Sequence, residues 1–541
     1  MKRWVEHFSE ILNQPPPSIK ANMQPAEVPL PVDCKRPSKK EIRKAIMHCK
    51  NNKAPGPDNI PAEALKADVE TSTQILYDLF GKIWEEEDVP GEWKGGHLVK
   101  IPKKGNLSLC DNYRGIMLLS VPGKVLNGVI LQRLKAAVDA ELRDNQAGFR
   151  PNRSCADQIA TLRIILEQSQ EFRSPLYAGF LDFEKAFDSL DREVLWQLMR
   201  HYAIPEKFIN IIKNIYSGTQ CRIIHEGQLT EAFNITTGVR QGCSLSPLLF
   251  LLAVDWIMRQ ATYNRQNGIQ WTPFTQLDDL DFADDIALLS HNHQQMKDKL
   301  RVVELRAAET GLRISTRKTK VLKANTKTLA SLTVNQQPLE EVDSFIYLGS
   351  EVASDGGSEG DVKRRIGKAR AAFGMMGAIW RARNITLRTK IRLFNSSIKT
   401  ILLYGSETWK TTKKLLKKLQ VFTNHCLRRI LNIRWPDKIR NKELWERTHQ
   451  PAIEVDIMRR RWGWIGHTLR KPRNTITHQA LQWNPQGKRG RGRPRNTWRR
   501  SVTAEMERAG YRWQDLERLA QNRTRWRDII SGLCSNLEQQ A

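Results

Sequence analysis

Two adjacent aspartates, Asp284 and Asp285, lie in TQLDDLDFADDIALLS between short apolar runs. That pattern predicts a β-hairpin with both carboxylates at its tip. Neighbouring negative charges repel unless a cation stands between them, and hard carboxylate oxygens suit Mg²⁺. An Asp-Asp turn is equally ordinary surface chemistry, so the pair alone leaves both readings open. About a hundred residues upstream, LYAGFLDFEKAFDSLDREVLWQLM places Asp182 at the end of an apolar, strand-like run. A strand end beside a hairpin tip would bring three carboxylates onto two metal ions, an arrangement that activates an attacking hydroxyl and steadies a leaving pyrophosphate.

The surrounding residues predict the elements that must hold these groups. Asp188 reads as a helix N-cap, with Asp191 at the third helical position and Val194, Leu195, Leu198, Met199 and Tyr202 spaced for a buried face. The glycine loop Gly238 to Gly242 leads to Ser246 and Pro247, an N-cap and first-turn proline for the apolar helix LLFLLAVDWIM. Gly96 to Pro102 is β-like, and Ser38 with Glu41 forms a capping box for a helix through Ile42, Ala45 and Ile46. Before it come a short helical piece in MKRWVEHFSEIL and a linker broken by prolines. Asp278, Asp279 and Asp281 read as strand or edge residues.

Asp182 with its following EKAFD, then GVRQGCSLSPLLF (238–250), then FADD (282–285) resemble motifs A, B and C of reverse transcriptases in order and spacing. GLRISTRKTKVL (311–322) and FIYLGS (345–350) fall where motifs D and E belong. Upstream, NNKAPGPDNIPAEALK, IPKKGN, NYRGIMLLSVPGKVLNGVILQRL and NQAGFRPNRSCADQI are similar to the finger-side blocks of non-LTR, LINE-type retrotransposon enzymes, and closest to their RTE-like members. ILLYGSETW and RWGWIGHTLRKP carry the resemblance downstream, so it covers nearly the whole chain.

The resemblance implies an α+β right-hand polymerase of fingers, palm and thumb with a basic helical C-terminal extension. Its divisions would be an N-terminal extension and linker over 1–82, fingers and palm over 83–350, a helical thumb over 351–440 and a nucleic-acid-binding region over 441–541. The implied activity is RNA-directed DNA polymerisation: a primer 3′-hydroxyl is extended with dNTPs by two-metal nucleotidyl transfer, as part of target-primed retrotransposition. Asp182, Asp284 and Asp285 become the catalytic carboxylates. With the backbone carbonyl of Phe183 they would hold two Mg²⁺ ions, Mn²⁺ being the substitute. Lys318 becomes the proton donor to departing pyrophosphate.

Arg114 and Arg150, with Lys124 beside them, are implied nucleotide or template contacts, since a triphosphate needs cations and arginine offers bidentate ones. Phe187 would exclude a ribose 2′-hydroxyl, Gln241 and Gly242 would lie near the nascent base pair, and Tyr347, Leu348 and Gly349 would form the primer grip. The implied partners are an RNA template, a DNA primer or target, and dNTPs. Family members carry an apurinic-type endonuclease ahead of such a linker. No such segment is read in this sequence, so a truncated element or a fragment of a longer product is expected. A domesticated or decayed nucleic-acid-binding protein without turnover, and an RNA-dependent RNA polymerase, compete with this reading. Intact carboxylates count against the first, and Phe187 together with FADD against the second.

Charge adds an independent argument. Residues 361–541 hold 42 Lys and Arg against 13 Asp and Glu, while the first 360 are balanced at 45 of each. The same last third carries ten of the sixteen tryptophans. Cations release counterions from phosphates and flat rings stack on bases, so this density predicts a polyanion-binding surface. Within it GKRGRGRPRNTWRR (487–500) reads as an extended arm, whose Arg489, Arg491, Arg493 and Arg495 surround a core similar to an AT-hook. Eight scattered cysteines without a CxxC pair argue against a zinc finger and a disulfide framework. No apolar run is long enough to span a bilayer, and no signal peptide is evident. The expectation is an intracellular protein, in nucleus and cytoplasm as a ribonucleoprotein, without membrane partners.

Overall fold

The computed structural model describes residues 1–103, 105–263, 267–328, 330–490 and 492–540, without the side chains of 536 and 538–540. Helix α1 (Lys2–Leu12) is followed by an irregular proline-rich stretch and α2 (Lys39–His48). The expected capping box is present: Ser38 accepts from the Glu41 N–H, and Glu41 accepts from the Ser38 N–H. Helix α3 (Val69–Glu86) leads to the hairpin β1 (Gly96–Pro102) and β2 (Tyr113–Leu118), then α4 (Val121–Glu141). Next come α5 (Cys155–Phe172), β3 (Leu176–Leu181), α6 (Arg192–His201), α7 (Glu206–Tyr216), β4 (Gln220–His225), β5 (Phe233–Asn234) and α8 (Ser246–Thr262).

A second hairpin, β6 (Asp279–Phe282) and β7 (Asp285–Ser290), precedes α9 (His293–Glu309), β8 (Lys320–Ala324) and a third hairpin, β9 (Ser344–Tyr347) and β10 (Ser350–Ala353). The rest is helical: α10 (Glu359–Met375), α11 (Lys413–Ile430), α12 (Asn441–Thr448), α13 (Ile453–Leu469), α14 (Trp498–Arg508) and α15 (Arg523–Gln540) are its main members.

One five-stranded sheet runs residues 340–341, β8, β3, β7, β6. All six residues of the central β3 are buried, which explains its unbroken apolar sequence: both faces are covered. Ile286 pairs with Leu181 and Lys320 with Phe180, so the end of β3, the β6–β7 turn and the start of β8 meet at one edge of the sheet. The second sheet sets β1 between an antiparallel β2 and a parallel β4.

Three apolar cores result. The largest packs α2 to α4 and α6 to α9 around the two sheets, and another fills the α10–α11 bundle. The remaining core lies behind β3 and α5 and contains Trp462, Trp464, Trp483, Trp498 and Trp526. Residues 441–541 therefore do not stand apart as a separate basic region, because their apolar residues close the back of the sheet.

Two expected caps shift. Asp191, not Asp188, caps α6 by accepting from the Val194 N–H at 2.9 Å, and Leu245, not Ser246, precedes α8. Among the described residues, no two cysteines are joined in a disulfide. Among the described residues, no helix is long and apolar enough to cross a membrane.

Candidate active site

The β6–β7 hairpin turns on two residues, Ala283 and Asp284, with Phe282 paired to Asp285. Ala283 takes the left-handed conformation, φ +58°, which an L-residue holds only when its surroundings enforce it. The enforcement comes from Gln146, fully buried in NQAGFRP. Its Oε1 accepts from the N–H groups of Ala283 (2.7 Å) and Gly148 (2.8 Å), and its Nε2 donates to the Ala283 carbonyl at 3.2 Å. Gly148 packs so tightly here that a Cβ would fall 2.2 Å from the Ala283 nitrogen. Sequence reading missed Gln146.

Beneath the turn, Arg143 donates to Asp279 at 2.8 and 3.0 Å and to Asp281 at 2.7 Å, both carboxylates being fully buried. These acids anchor the hairpin from below, as their reading as strand residues expected. Burial, then the neighbouring charge of Asp279, pushes the Asp281 carboxyl well up.

Asp182, the residue after β3, and Asp284 line one cavity of about 630 Å³ with Arg114, Phe187, Gln241, Gly242 and Lys318. The Lys318 ammonium donates to Asp182 Oδ1 at 2.9 Å. The chain around it brackets Asp182: the Ser315 N–H donates to the Asp182 carbonyl at 2.8 Å, and the Glu184 N–H to the Arg313 carbonyl at 2.9 Å. Phe183 lines the same cavity. Burial, then the charge of Asp182, raises the Asp284 carboxyl against the opposing pull of Arg114 and Lys318. Burial, then Asp284 and Asp182, pushes Asp285 up to about 6.

The expected convergence of three carboxylates is narrower here. Asp285, the first residue of β7, stands outside the cavity lining, and among the described residues no three His, Cys, Asp or Glu side chains close on one point. The donor set is two carboxylates on one cavity, a third beside them, and the main chain at Phe183. All are hard oxygens, and the carboxylates among them repel one another, which fits a divalent cation between them.

Other expected residues divide. Phe187 is half-buried, stacks on Phe250 with ring centroids 4.5 Å apart, and reaches the cavity. Gln241 donates from Nε2 to both oxygens of Asp188 at 2.8 and 2.9 Å, and its carbonyl accepts from Met117 N–H at 2.7 Å. Gly242, φ +120°, leaves room for the Met117 carbonyl, 2.4 Å from where a Cβ would sit. Burial against this contact pushes Asp188 up to about 6.

Arg150 is a correction. It is buried and donates to the Asp139 carboxylate and carbonyl, both at 2.7 Å, and to the Gln146 carbonyl at 3.1 Å. Its donors are spent on holding the Gln146 loop, not on a nucleotide. Lys124 lines a neighbouring cavity of about 340 Å³ with Glu41, Cys49 and Gly242, the last of which also lines the first cavity.

Tyr347 is a second correction. Its buried hydroxyl donates to the Leu280 carbonyl at 2.8 Å, so it props β6 from behind. Leu348 and Gly349 do form the tight turn of a hairpin, with φ of +48° and +78°. Their carbonyls accept from the Tyr404 hydroxyl (2.8 Å) and from Arg365, which ties the turn to the helical bundle. In the basic arm Arg489 pairs with Glu171 at 3.5 Å, while Arg493 and Arg495 are exposed. Arg491 lies outside the described residues.

Helix α1, read in sequence only as a helical piece, forms one wall of the cavity through His7, Phe8, Ile11 and Leu12. The Phe8 ring lies 2.9 Å from where a Gly115 Cβ would sit, so the glycine next to Arg114 exists to admit it. Asn13 locks the helix end, its Oδ1 accepting from the Thr236 N–H (2.9 Å) and hydroxyl (2.8 Å) and its Nδ2 donating to the Asn234 carbonyl (2.9 Å). Phe149 is also a cavity residue, 52% exposed and at φ +56°, a strained posture for an aromatic.

Residues 101–352 match the protein family described as reverse transcriptase (RNA-dependent DNA polymerase), and residues 372–404 match a domain of unknown function. The chain is similar to the transposon TX1 uncharacterized 149 kDa protein of Xenopus laevis, 26% identical over 275 residues, 51% of this chain and 21% of that one. It is 30% identical over 206 residues to the retrovirus-related Pol polyprotein from type-2 retrotransposable element R2DM of Drosophila melanogaster, 38% of this chain and 19% of that one. With the RNA-directed DNA polymerase from mobile element jockey, of the same fly, identity is 24% over 426 residues, 74% of this chain and 45% of that one. The chain thus spans less than a quarter of the first two relatives' own length.

Proposed function

We propose that the chain belongs to the reverse transcriptases of non-LTR retrotransposons and that its cleft extends the 3′-hydroxyl of a DNA primer with dNTPs on an RNA template. The observation that carries this reading is the meeting of Asp182 and Asp284 with Arg114, Gln241 and Lys318 on one cavity. The family generally uses divalent metal ions. We assign two Mg²⁺ ions, replaceable by Mn²⁺, to Asp182, Asp284, the Phe183 carbonyl and, from the rim, Asp285. Bound there, such ions supply Lewis acidity to the attacking hydroxyl and the departing pyrophosphate.

The chain's own groups do the rest. Arg114, exposed on β2, pairs with phosphate oxygens, and Lys318, already within reach of Asp182, stabilises and can protonate the leaving group. The Phe187 ring, backed by Phe250, denies space to a 2′-hydroxyl. Gln241, held by Asp188, and Gly242 fix the main chain beside the nascent pair. Tyr347 and Leu348 are buried, so of the expected primer grip half-buried Gly349 is the residue left open to a primer. Arg493 and Arg495, with the basic faces of the helical bundle, give phosphate contacts without sequence preference. The proposed setting is a ribonucleoprotein of nucleus and cytoplasm acting in target-primed retrotransposition.

Primer extension on an RNA template tests this. Wild type should incorporate dNTPs and reject NTPs, Asp284→Asn should abolish incorporation, and Phe187→Val should admit NTPs. RNA binding without incorporation by wild type would favour a binding protein, and NTP use by wild type an RNA polymerase.

A further inference from the structure

The ten tryptophans of the basic third looked in sequence like base-stacking platforms, and burial removes nine of them from that role. Trp380, Trp409, Trp462, Trp464, Trp483, Trp498 and Trp526 are core residues, and Trp445 and Trp513 are half-buried. Trp435 is 83% exposed.

It stands in the connection between α11 and α12, and that connection is built rather than loose. The Ile433 N–H donates to the Arg428 carbonyl at 3.0 Å, and the Asp437 N–H to the Arg434 carbonyl at 2.7 Å, which closes a turn with Trp435 and Pro436 at its tip. The Arg428 side chain donates to the Ile439 carbonyl (3.2 Å) and Asn441 Oδ1 (2.8 Å), pinning the far end of the loop to α11. Arg434, Lys438, Arg440 and Lys442, close to Trp435 in the chain, are all exposed, against a single acid over 434–442, Asp437. The Lys438 ammonium lies 5.6 Å from the ring centroid.

An indole left in water forgoes the stabilisation that burial would return. Its held geometry also means that little conformational freedom is lost when a partner covers it. That partner must offer a flat apolar face together with negative charge. An unpaired base flanked by phosphates offers both, whereas a duplex hides its base faces. We propose that the Trp435 loop is a docking site for single-stranded nucleic acid, with the indole stacking on a base and Arg434, Lys438 and Arg440 taking the adjoining phosphates. The inference rests on the polymerase reading for its biological sense, but the binding it describes needs no catalysis.

The test measures affinities of the full chain, by fluorescence anisotropy at fixed salt, for a labelled oligouridylate of about sixteen nucleotides and for a blunt duplex of the same length. Trp435→Leu should weaken single-strand binding about tenfold, Trp435→Tyr should restore most of it, and duplex affinity should change less than about twofold. Equal single-strand affinity for Trp435→Leu and wild type would overturn the proposal. So would an equal loss in Trp435→Tyr, or an equal loss on duplex. Primer extension run in parallel separates the two claims. Extension by wild type with no effect of Trp435→Leu on binding defeats only the loop, and the specific binding loss without any extension defeats only the polymerase reading.

Discussion

At the scale of the residue, the turn that carries Asp284 depends on a side chain outside the proposed chemistry. Gln146 makes three hydrogen bonds around Ala283, the residue before Asp284. Gln146→Leu would leave the Ala283 and Gly148 N–H groups buried without acceptors, at about 1–3 kcal/mol each. The expected result is a kcat lower by about one to two orders of magnitude with KM for dNTP nearly unchanged, because the turn drifts while the nucleotide contacts stay. Steady-state kinetics at saturating primer reads this directly, and a rise in KM alone would speak against it. The placement of Asp182 at a strand end and Asp284 at a hairpin tip was legible in sequence from the apolar runs beside them, while their shared role rested on the resemblance. Gln146 was not legible, since its partner lies 137 residues away and an amide in a glycine-containing loop has many ordinary uses. Arg150 misled for the complementary reason: a sequence displays charge but not the internal acceptors that consume it.

At the scale of the element, two helices carry consequences of their own. An isolated eleven-residue helix is marginal in water, so α1 owes its order to docking on β2 and β5. Phe8→Ala, which empties the seat over Gly115, should raise KM for dNTP about tenfold while primer–template affinity holds. Faster turnover in that variant would instead mark α1 as an obstruction. The amphipathic pattern of α1 was readable, but the surface it covers was not, because that surface is assembled from strands more than a hundred residues apart.

Helix α5 carries Glu167, which accepts from the Trp498 N–H at 2.8 Å, and burial pushes its carboxyl up to about 7. This lies above its ordinary value, so folding favours the protonated form. The stabilisation is complete below the unfolded value and fades as pH rises towards 7. Glu167→Gln mimics that form. It should match wild type at pH 4 and below and exceed it by on the order of 3 kcal/mol at pH 8. Thermal melts across that range supply the check, and a gap independent of pH would contradict it.

At the scale of the whole molecule, charge and apolar content have separate tasks that composition alone merged. The last third holds the entire positive excess, yet most of its tryptophans knit the C-terminal helices to the back of the central sheet. Most of its described basic groups remain outside, Arg365, Lys390, Lys399 and Arg461 being buried exceptions, while the balanced first two thirds enclose the cleft. The right-hand plan was legible from collinear motifs. The closure of that hand by its own C-terminal helices was not, since periodicity shows that a face is apolar without showing what it covers.

The central claim is that Asp182 and Asp284 share the reacting space and Asp285 stands at its rim. The most direct measurement is single-turnover incorporation of one dNTP by wild type, Asp284→Asn and Asp285→Asn under identical Mg²⁺. The account predicts a loss of about three orders of magnitude for Asp284→Asn, the several kcal/mol that metal-held charge stabilisation supplies, and a clearly smaller loss for Asp285→Asn. Equal losses, or the reverse order, would contradict it.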